Sequence, residues 1–318
     1  MQATPSRKPV AVIALGGNAL APAGESPTVY DQFRHARQSL GPIVELVRSG
    51  WDVCVVHGNG PQVGDELVRN EVARDEASPL PLGVLVAATA GWIGYMIQQS
   101  LENALLRAGI TRQVATVITQ VEVDPSDPAM RKPTKFIGRP VSSERAAEIE
   151  AEGHIVKKDG HGNLRRVVGS PPPKSICELP VIKALMDAGV VAVACGGGGA
   201  PVYRAPALGL EGVDAVVDKD LAAAVLARDL RAELLIILTD VDAVYADWGT
   251  PGRRALRRLS ADEAERLDRA GAFGEGSMAP KVRAAVDFVR RGGGRAVITE
   301  LSRGGDAVRG EAGTTITA

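Results

Sequence analysis

The stretch Val10-Ala11-Val12-Ile13-Ala14-Leu15-Gly16-Gly17-Asn18-Ala19 decides the fold. Its unbroken apolar run suits a strand buried on both faces, the pattern of a parallel sheet. A glycine pair follows at once, and glycine lets backbone come close to a ligand. The same arrangement returns along the chain. Val53–Val56 runs into His57-Gly58-Asn59-Gly60-Pro61-Gln62-Val63-Gly64, and Val190–Ala194 into Cys195-Gly196-Gly197-Gly198-Gly199. Leu234–Leu238 runs into Thr239-Asp240, and Arg295–Thr299 is a further apolar run.

Helical spacing fills the intervals. Phe33, Ala36, Leu40, Ile43, Val44 and Val47 predict one helix over Asp31–Arg48, closed by Gly50. Val84–Ala108 predicts a long helix broken near Gly91 and Gly94, followed by a strand at Val114–Thr119. Leu179–Ala188, Leu221–Leu230 and Ser277–Arg290 predict three more helices. The alternation gives an α/β fold, a largely parallel central sheet sandwiched by helices. In such sheets ligands bind beyond the carboxyl ends of the strands, where the glycine loops fall.

Glu122–Lys174 breaks the pattern, with Asp124-Pro125, Asp127-Pro128, Lys132-Pro133, Arg139-Pro140 and Pro171-Pro172-Pro173. A bare loop of that length is implausible inside a compact domain. Residues 122–174 are expected to form a protruding lid subdomain, poorly tied to the core and inserted in a single domain spanning 1–318. Ile155–Lys158 and Leu164–Val168 read as its hairpin, around Asp159-Gly160.

Composition narrows the classes. With 37 basic and 38 acidic residues the net charge is −1, which argues against nucleic acid as a partner. The three cysteines, Cys54, Cys177 and Cys195, show neither a disulfide framework nor a zinc pattern. Met1–Pro9 lacks the apolar core of a signal peptide, and no run approaches the ~20 apolar residues of a membrane helix, so a cytoplasmic, membrane-free protein is expected.

The glycine loops match no common phosphate motif. Gly16-Gly17 lacks the following Gly-Lys-Ser/Thr of a P-loop, and Gly58, Gly60 and Gly64 are spaced one residue too long for a dinucleotide fingerprint. The lysines are more telling. Lys219, in Asp218-Lys219-Asp220, and Lys281, in Gly276-Ser277-Met278-Ala279-Pro280-Lys281, stand at helix starts, where a cation opposes the dipole. That position suits an anion resting on them. Lys135 lies in the excursion. Asp218 suits an N-cap; Asp220 is either a first-turn capping residue or the carboxylate that aims two lysines. His57, at a strand end, is open to either a packing or a site role. No Ser-His-Asp, Cys-His or histidine-carboxylate metal cluster is present, so no protein metal site is expected.

These motifs together closely resemble the carbamate kinase family of the amino acid kinase superfamily. The resemblance covers nearly the whole chain, from Ala14-Leu15-Gly16-Gly17-Asn18-Ala19-Leu20 through Lys132-Pro133-Thr134-Lys135 and Arg165-Arg166-Val167-Val168 to Gly313-Thr314. Other members of the superfamily usually carry a lysine just before the first Gly-Gly; here the stretch is Ile13-Ala14-Leu15, and the resemblance implies that Lys135 substitutes. Departures fall at Thr89-Ala90, where the family reads Ser-Gln, at Leu85, where a cysteine is usual nearby, and at Phe136, which replaces a proline.

The implied activity is reversible phosphoryl transfer, ADP plus carbamoyl phosphate to ATP plus carbamate, with Mg²⁺, in arginine or carbamoyl phosphate metabolism and in a homodimer. The implied catalytic residues are Lys135, Lys219, Lys281 and Asp220, with Asp214 a weaker candidate. Gly16, Gly17, Asn18, Gly58, Asn59, Gly60, Gly197 and Gly198 would hold substrate and phosphate; Thr239, Asp240, Met278 and Lys281 would border the nucleotide. The alternatives are another small-molecule kinase of the superfamily and a non-catalytic nucleotide-binding regulator.

Overall fold

A computed structural model describes residues 7–16, 28–160, 162–274 and 278–318. The first third comprises β1 (Val10–Leu15), α1 (Val29–Gln38), α2 (Gly41–Arg48), β2 (Asp52–His57), α3 (Gly60–Val72), α4 (Leu82–Arg107) and β3 (Val114–Thr116). Then come β4 (Gln120–Glu122), α5 (Pro128–Arg131), β5 (Lys135–Phe136), α6 (Ser143–Ala151), β6 (Ile155–Lys158), β7 (Leu164–Val168) and β8 (Ser175–Ile176). The second half holds α7 (Leu179–Asp187), β9 (Val191–Val193), β10 (Ala200–Ala205), β11 (Gly209–Gly212), α8 (Lys219–Leu230) and β12 (Leu234–Thr239). It ends with β13 (Val244–Ala246), β14 (Arg254–Leu256), β15 (Arg258–Ser260), α9 (Ala261–Arg269), α10 (Met278–Arg290), β16 (Arg295–Glu300), α11 (Gly304–Arg309) and β17 (Thr314–Thr317).

The central sheet has eight strands in the order β15-β17-β16-β12-β1-β2-β9-β3. All its pairings are parallel except β16 with β17. Strand β1 lies in the middle and shows why an unbroken apolar run was needed. Val10, Val12 and Ala14 pack into the core layer that contains α8 and α10; Ala11, Ile13 and Leu15 pack into the layer with α1, α2 and α4. Alternate side chains leave a strand on opposite faces, so covering both faces demands apolar residues at every position.

Two expected elements differ. The helix foreseen over Asp31–Arg48 is two, α1 and α2, separated at Ser39-Leu40, because Pro42 near the start of α2 cannot continue the hydrogen-bond ladder of a preceding helix. Conversely, α4 runs unbroken through Gly91 and Gly94. A β-carbon on Gly94 would lie 2.2 Å from Thr116 Cγ2, so this glycine lets α4 press on β3 and does not break the helix.

The excursion leaves the body through β4 and returns through β8. These strands pair antiparallel, Val121 with Ile176 and Glu122 with Ser175, so its two ends are tied together. Between them β5, β7 and β6 form a small antiparallel sheet that contains the expected hairpin. The excursion is not poorly tied to the core. Ile137 is buried with Val63, Leu82, Leu85, Val86 and Val216. Arg139 pairs with Asp65, and both Arg145 and Arg166 pair with Glu71 of α3. Gly64 and Gly138 meet so closely that a β-carbon on Gly64 would fall 1.9 Å from Gly138 Cα.

Candidate active site

The loops after β12, β1, β2 and β9 lie side by side because those strands are neighbours in the sheet. Gly16 ends β1 where a β-carbon would stand 3.1 Å from the Leu238 carbonyl. Gly17 and Asn18 lie outside the described residues, as does the Gly276-Ser277 pair. The Gly58 N–H donates to the Leu15 carbonyl at 3.1 Å, so it knits two loops together and is not free for a ligand. Free donors lie one step on. At the start of α3, Pro61 has no N–H, and the N–H groups of Gly60 and Gln62 have no partner among the described residues. A helix N-terminus with open N–H groups favours an anion.

The four-glycine loop is packed tightly. Gly197, Gly198 and Gly199 all have φ between 67° and 92°, and Gly196–Gly198 are buried. Added β-carbons would strike Asn59 Nδ2 at 2.2 Å from Gly197 and the Val217 carbonyl at 2.2 Å from Gly198. The Gly198 N–H donates to the Cys195 carbonyl. These glycines thus let the loop fit between α3's start and the segment leading to α8. That segment carries the charged centre.

Asp218 caps α8, one carboxylate oxygen accepting from the N–H groups of Asp220 (2.8 Å) and Leu221 (3.3 Å). Its other oxygen accepts from Lys135 Nζ at 2.5 Å, across from the excursion. Asp220, 2% exposed, bridges Lys219 at 2.5 Å and Lys281 at 3.0 Å. Three lysines from two helices and an excursion strand therefore converge on two neighbouring carboxylates, Asp218 and Asp220. Burial alone would raise both carboxyl pKa values, but the surrounding ammonium groups outweigh it, and both Asp218 and Asp220 are held below the usual range. Burial pulls the Lys219 ammonium below its ordinary value, against Asp220. For Lys281 burial acts the same way, yet Asp220, Asp218 and Asp240 together push it up.

Asp218 is the residue whose role sequence reasoning missed. Its capping position was visible, but one oxygen of a capping carboxylate is free to do something else, and only folding brings Lys135 to it. Asp240 follows β12 and its charge reaches Lys281; Thr239 is half-buried beside it, and Met278 opens α10 and packs on the core. Asp214 does not join the lysines: it accepts from the Gly83 N–H at 3.3 Å. His57 is 1% exposed, with Nδ1 3.1 Å from the Gly58 carbonyl; burial holds its pKa down to about 4, so the ring is neutral at ordinary pH.

Among the described residues no group of histidine, cysteine and carboxylate side chains is arranged to hold a metal ion. No helix among them is long and apolar enough to cross a membrane. A divalent ion in this site would be held mainly by ligand phosphates and water, the usual habit of hard cations in phosphoryl-transfer sites.

The model of the amino acid kinase family matches residues 9–300. Carbamate kinase of Pyrococcus horikoshii is 42% identical over 310 residues, covering 96% of this chain and 98% of that one. Carbamate kinase of Escherichia coli K12 is 45% identical over 306 residues, with coverage of 96% and 98%. Among solved structures, carbamate kinase from Giardia lamblia bound to AMP-PNP superposes with a TM-score of 0.89 at 38% identity, covering 98% of each chain. With its lysines brought together at the carboxyl edge of a sheet of this kind, the chain belongs to the amino acid kinase family and, within it, to the carbamate kinases.

Proposed function

We infer that the protein catalyses reversible phosphoryl transfer between ATP and carbamate, forming ADP and carbamoyl phosphate. The observation that carries this reading is the convergence of Lys135, Lys219 and Lys281 on Asp218 and Asp220. Phosphoryl transfer asks for positioning and charge stabilisation more than for covalent chemistry. Carbamate is already an anion and needs no general base, in keeping with a neutral, buried His57. In this reading Lys219 and Lys281, aimed by Asp220, hold the phosphates at the start of α8. Lys135 reaches the transferring phosphoryl from the excursion, and the open start of α3 holds the carbamoyl end. Thr239, Asp240 and Met278 border the nucleotide in this reading; that a nucleotide is bound at all is supported by the related Giardia enzyme, which was solved with AMP-PNP.

The metal in this reading is Mg²⁺, bound with the nucleotide, and the protein is a cytoplasmic homodimer serving arginine or carbamoyl phosphate metabolism. Val84, Tyr95 and the Ile118 side chain over Gly91 are exposed along one side of α4 and suit a subunit contact. The expected result is ATP formed from ADP and carbamoyl phosphate only when Mg²⁺ is added, by a species whose sedimentation mass is that of two chains. No ATP above the spontaneous breakdown of carbamoyl phosphate, at saturating substrates, would sink the kinase reading; a one-chain mass would remove the dimer alone.

Residues 122–174 act, in the same reading, as a lid subdomain whose closure sets Lys135 against the phosphoryl group. Hydrogen exchange in that segment should slow when AMP-PNP and Mg²⁺ are added. Unchanged exchange there would leave the excursion as a fixed wall of the site.

A further inference from the structure

Asn59 stands at the N-cap of α3, and asparagine is among the best residues for that position, yet its side chain makes no capping bond. It is 3% exposed, so its amide is not simply left to water. The amide instead turns to α4, where Nδ2 donates to Thr89 Oγ1 at 2.9 Å. The direction of that bond is settled by what Thr89 does next. The Thr89 hydroxyl lies 2.8 Å from the Leu85 carbonyl and 2.9 Å from the Val86 carbonyl. Carbonyls only accept, so the one hydroxyl proton is spent on them, and toward Asn59 the oxygen can only accept. The NH₂ end of Asn59 must therefore face Thr89. Its Oδ1 is left as an acceptor, lying over Gly197, with no donor among the described residues.

The open backbone groups that follow Asn59 are donors. The N–H groups of Gly60 and Gln62 open toward an anion, and the three lysines lie beyond the glycine loop. Donors of this kind suit phosphoryl and carboxylate oxygens. The amino group of carbamate or carbamoyl phosphate has the opposite need: its two N–H bonds require acceptors, and its nitrogen, conjugated with the carbonyl, accepts nothing. We propose that Asn59 Oδ1, held acceptor-outward by Thr89, receives the amino group of the substrate and is the specificity residue that separates carbamoyl phosphate from acyl phosphates of the same shape. Thr89 is then a positioning residue, which touches no substrate. This rests on the kinase reading and deepens it: Asn59 reads the amine, not the phosphoryl.

Acetyl phosphate is the discriminating probe, because it carries a methyl group where carbamoyl phosphate carries NH₂. A buried acceptor facing a methyl group is left unsatisfied, and one unmade hydrogen bond of that kind costs about 1–3 kcal/mol, or roughly 5–150-fold in kcat/KM. ATP formation from ADP is to be measured with both phosphoryl donors for the wild type, Thr89→Val, Thr89→Ser and Asn59→Ser. Valine removes the hydroxyl that orients the amide while keeping its shape. Serine at position 59 keeps a capping side chain for α3 but lacks the amide.

In Thr89→Val and Asn59→Ser, kcat/KM for carbamoyl phosphate should fall about 10-fold or more. In Thr89→Val, whose side chain touches no substrate, the value for acetyl phosphate should hold to within about twofold, because that donor never had the bond to lose. Thr89→Ser should restore the wild-type ratio. Retained turnover of acetyl phosphate also reports that Thr89→Val is folded, and the far-ultraviolet circular dichroism of Asn59→Ser should match the wild type. If both donors lose activity in parallel, or the ratio is unmoved, Asn59 does not read the amino group and the proposal falls. If the wild type makes ATP from neither donor, it is the kinase reading that has failed.

Discussion

Lys135→Ala should lower the rate of ATP formation by ~10²–10³, about 3–4 kcal/mol of barrier, while the melting temperature hardly moves. The rate effect follows from the proposed function: the stretch before Gly16, Ile13-Ala14-Leu15, offers no lysine, and in that reading Lys135 of the excursion supplies the positive charge on the phosphoryl. The small stability effect follows from the pair it makes. Lys135 is one-third exposed, and Asp218 keeps its two helix-capping bonds and its neighbours Lys219 and Lys281 when Lys135 is gone. Partly exposed ion pairs contribute little to folding. Lys132→Ala is the control. Lys132 is exposed, three residues away on the same excursion, and should leave turnover near wild type. Equal, mild effects of the two substitutions would make Lys135 an ordinary surface lysine.

Asp220→Ala should do more, and to both properties. Asp220 is the carboxylate shared by Lys219 and Lys281, whose side chains are only 12% and 17% exposed. Removing one partner of a buried pair strands the other's charge, at about 3–5 kcal/mol. Here two ammonium groups are stranded together, and their mutual repulsion swings them off the phosphates. Turnover should fall by ~10³ or more, the cost of misaiming preorganised charge. Urea denaturation monitored by circular dichroism measures the stability loss. A variant that melted like the wild type would show that Lys219 and Lys281 find other partners, and Asp220 would lose its organising role.

The helix and strand pattern was legible because it depends on neighbours in sequence. Val10–Leu15 and Leu234–Leu238 announce buried strands by having no polar residue to point at water. Where the local signal was ambiguous, the reading slipped. Gly91 and Gly94 look like helix breakers in sequence, yet α4 continues through them, because Gly94's missing side chain is what lets Thr116 approach. Helix spacing across Asp31–Arg48 carried through Pro42, although the proline forces a new start. The excursion's prolines suggested a loose insertion, but the ion pairs of Arg139, Arg145 and Arg166 on α3 link residues about seventy or more positions apart, beyond the reach of any local pattern.

By itself, then, the sequence determined the layered α/β fold, the places where loops must pass close to a ligand, and the identity of the three lysines and the bridging Asp220. The fold, the loops, Lys219 and Lys281 follow from residue type and short spacing, whereas Lys135 and the aiming role of Asp220 were implied by the family resemblance. Only the tertiary structure decided how those groups meet. It showed that Asp218 holds Lys135 across 83 positions of chain, that the Gly58 N–H is spent on Leu15, and that the Asn59 amide donates to Thr89 and makes no capping bond. The physical reason is common to all three. A side chain's donors and acceptors are fixed by its chemistry, but which of them remain unspent depends on the partners that folding brings within about 3 Å.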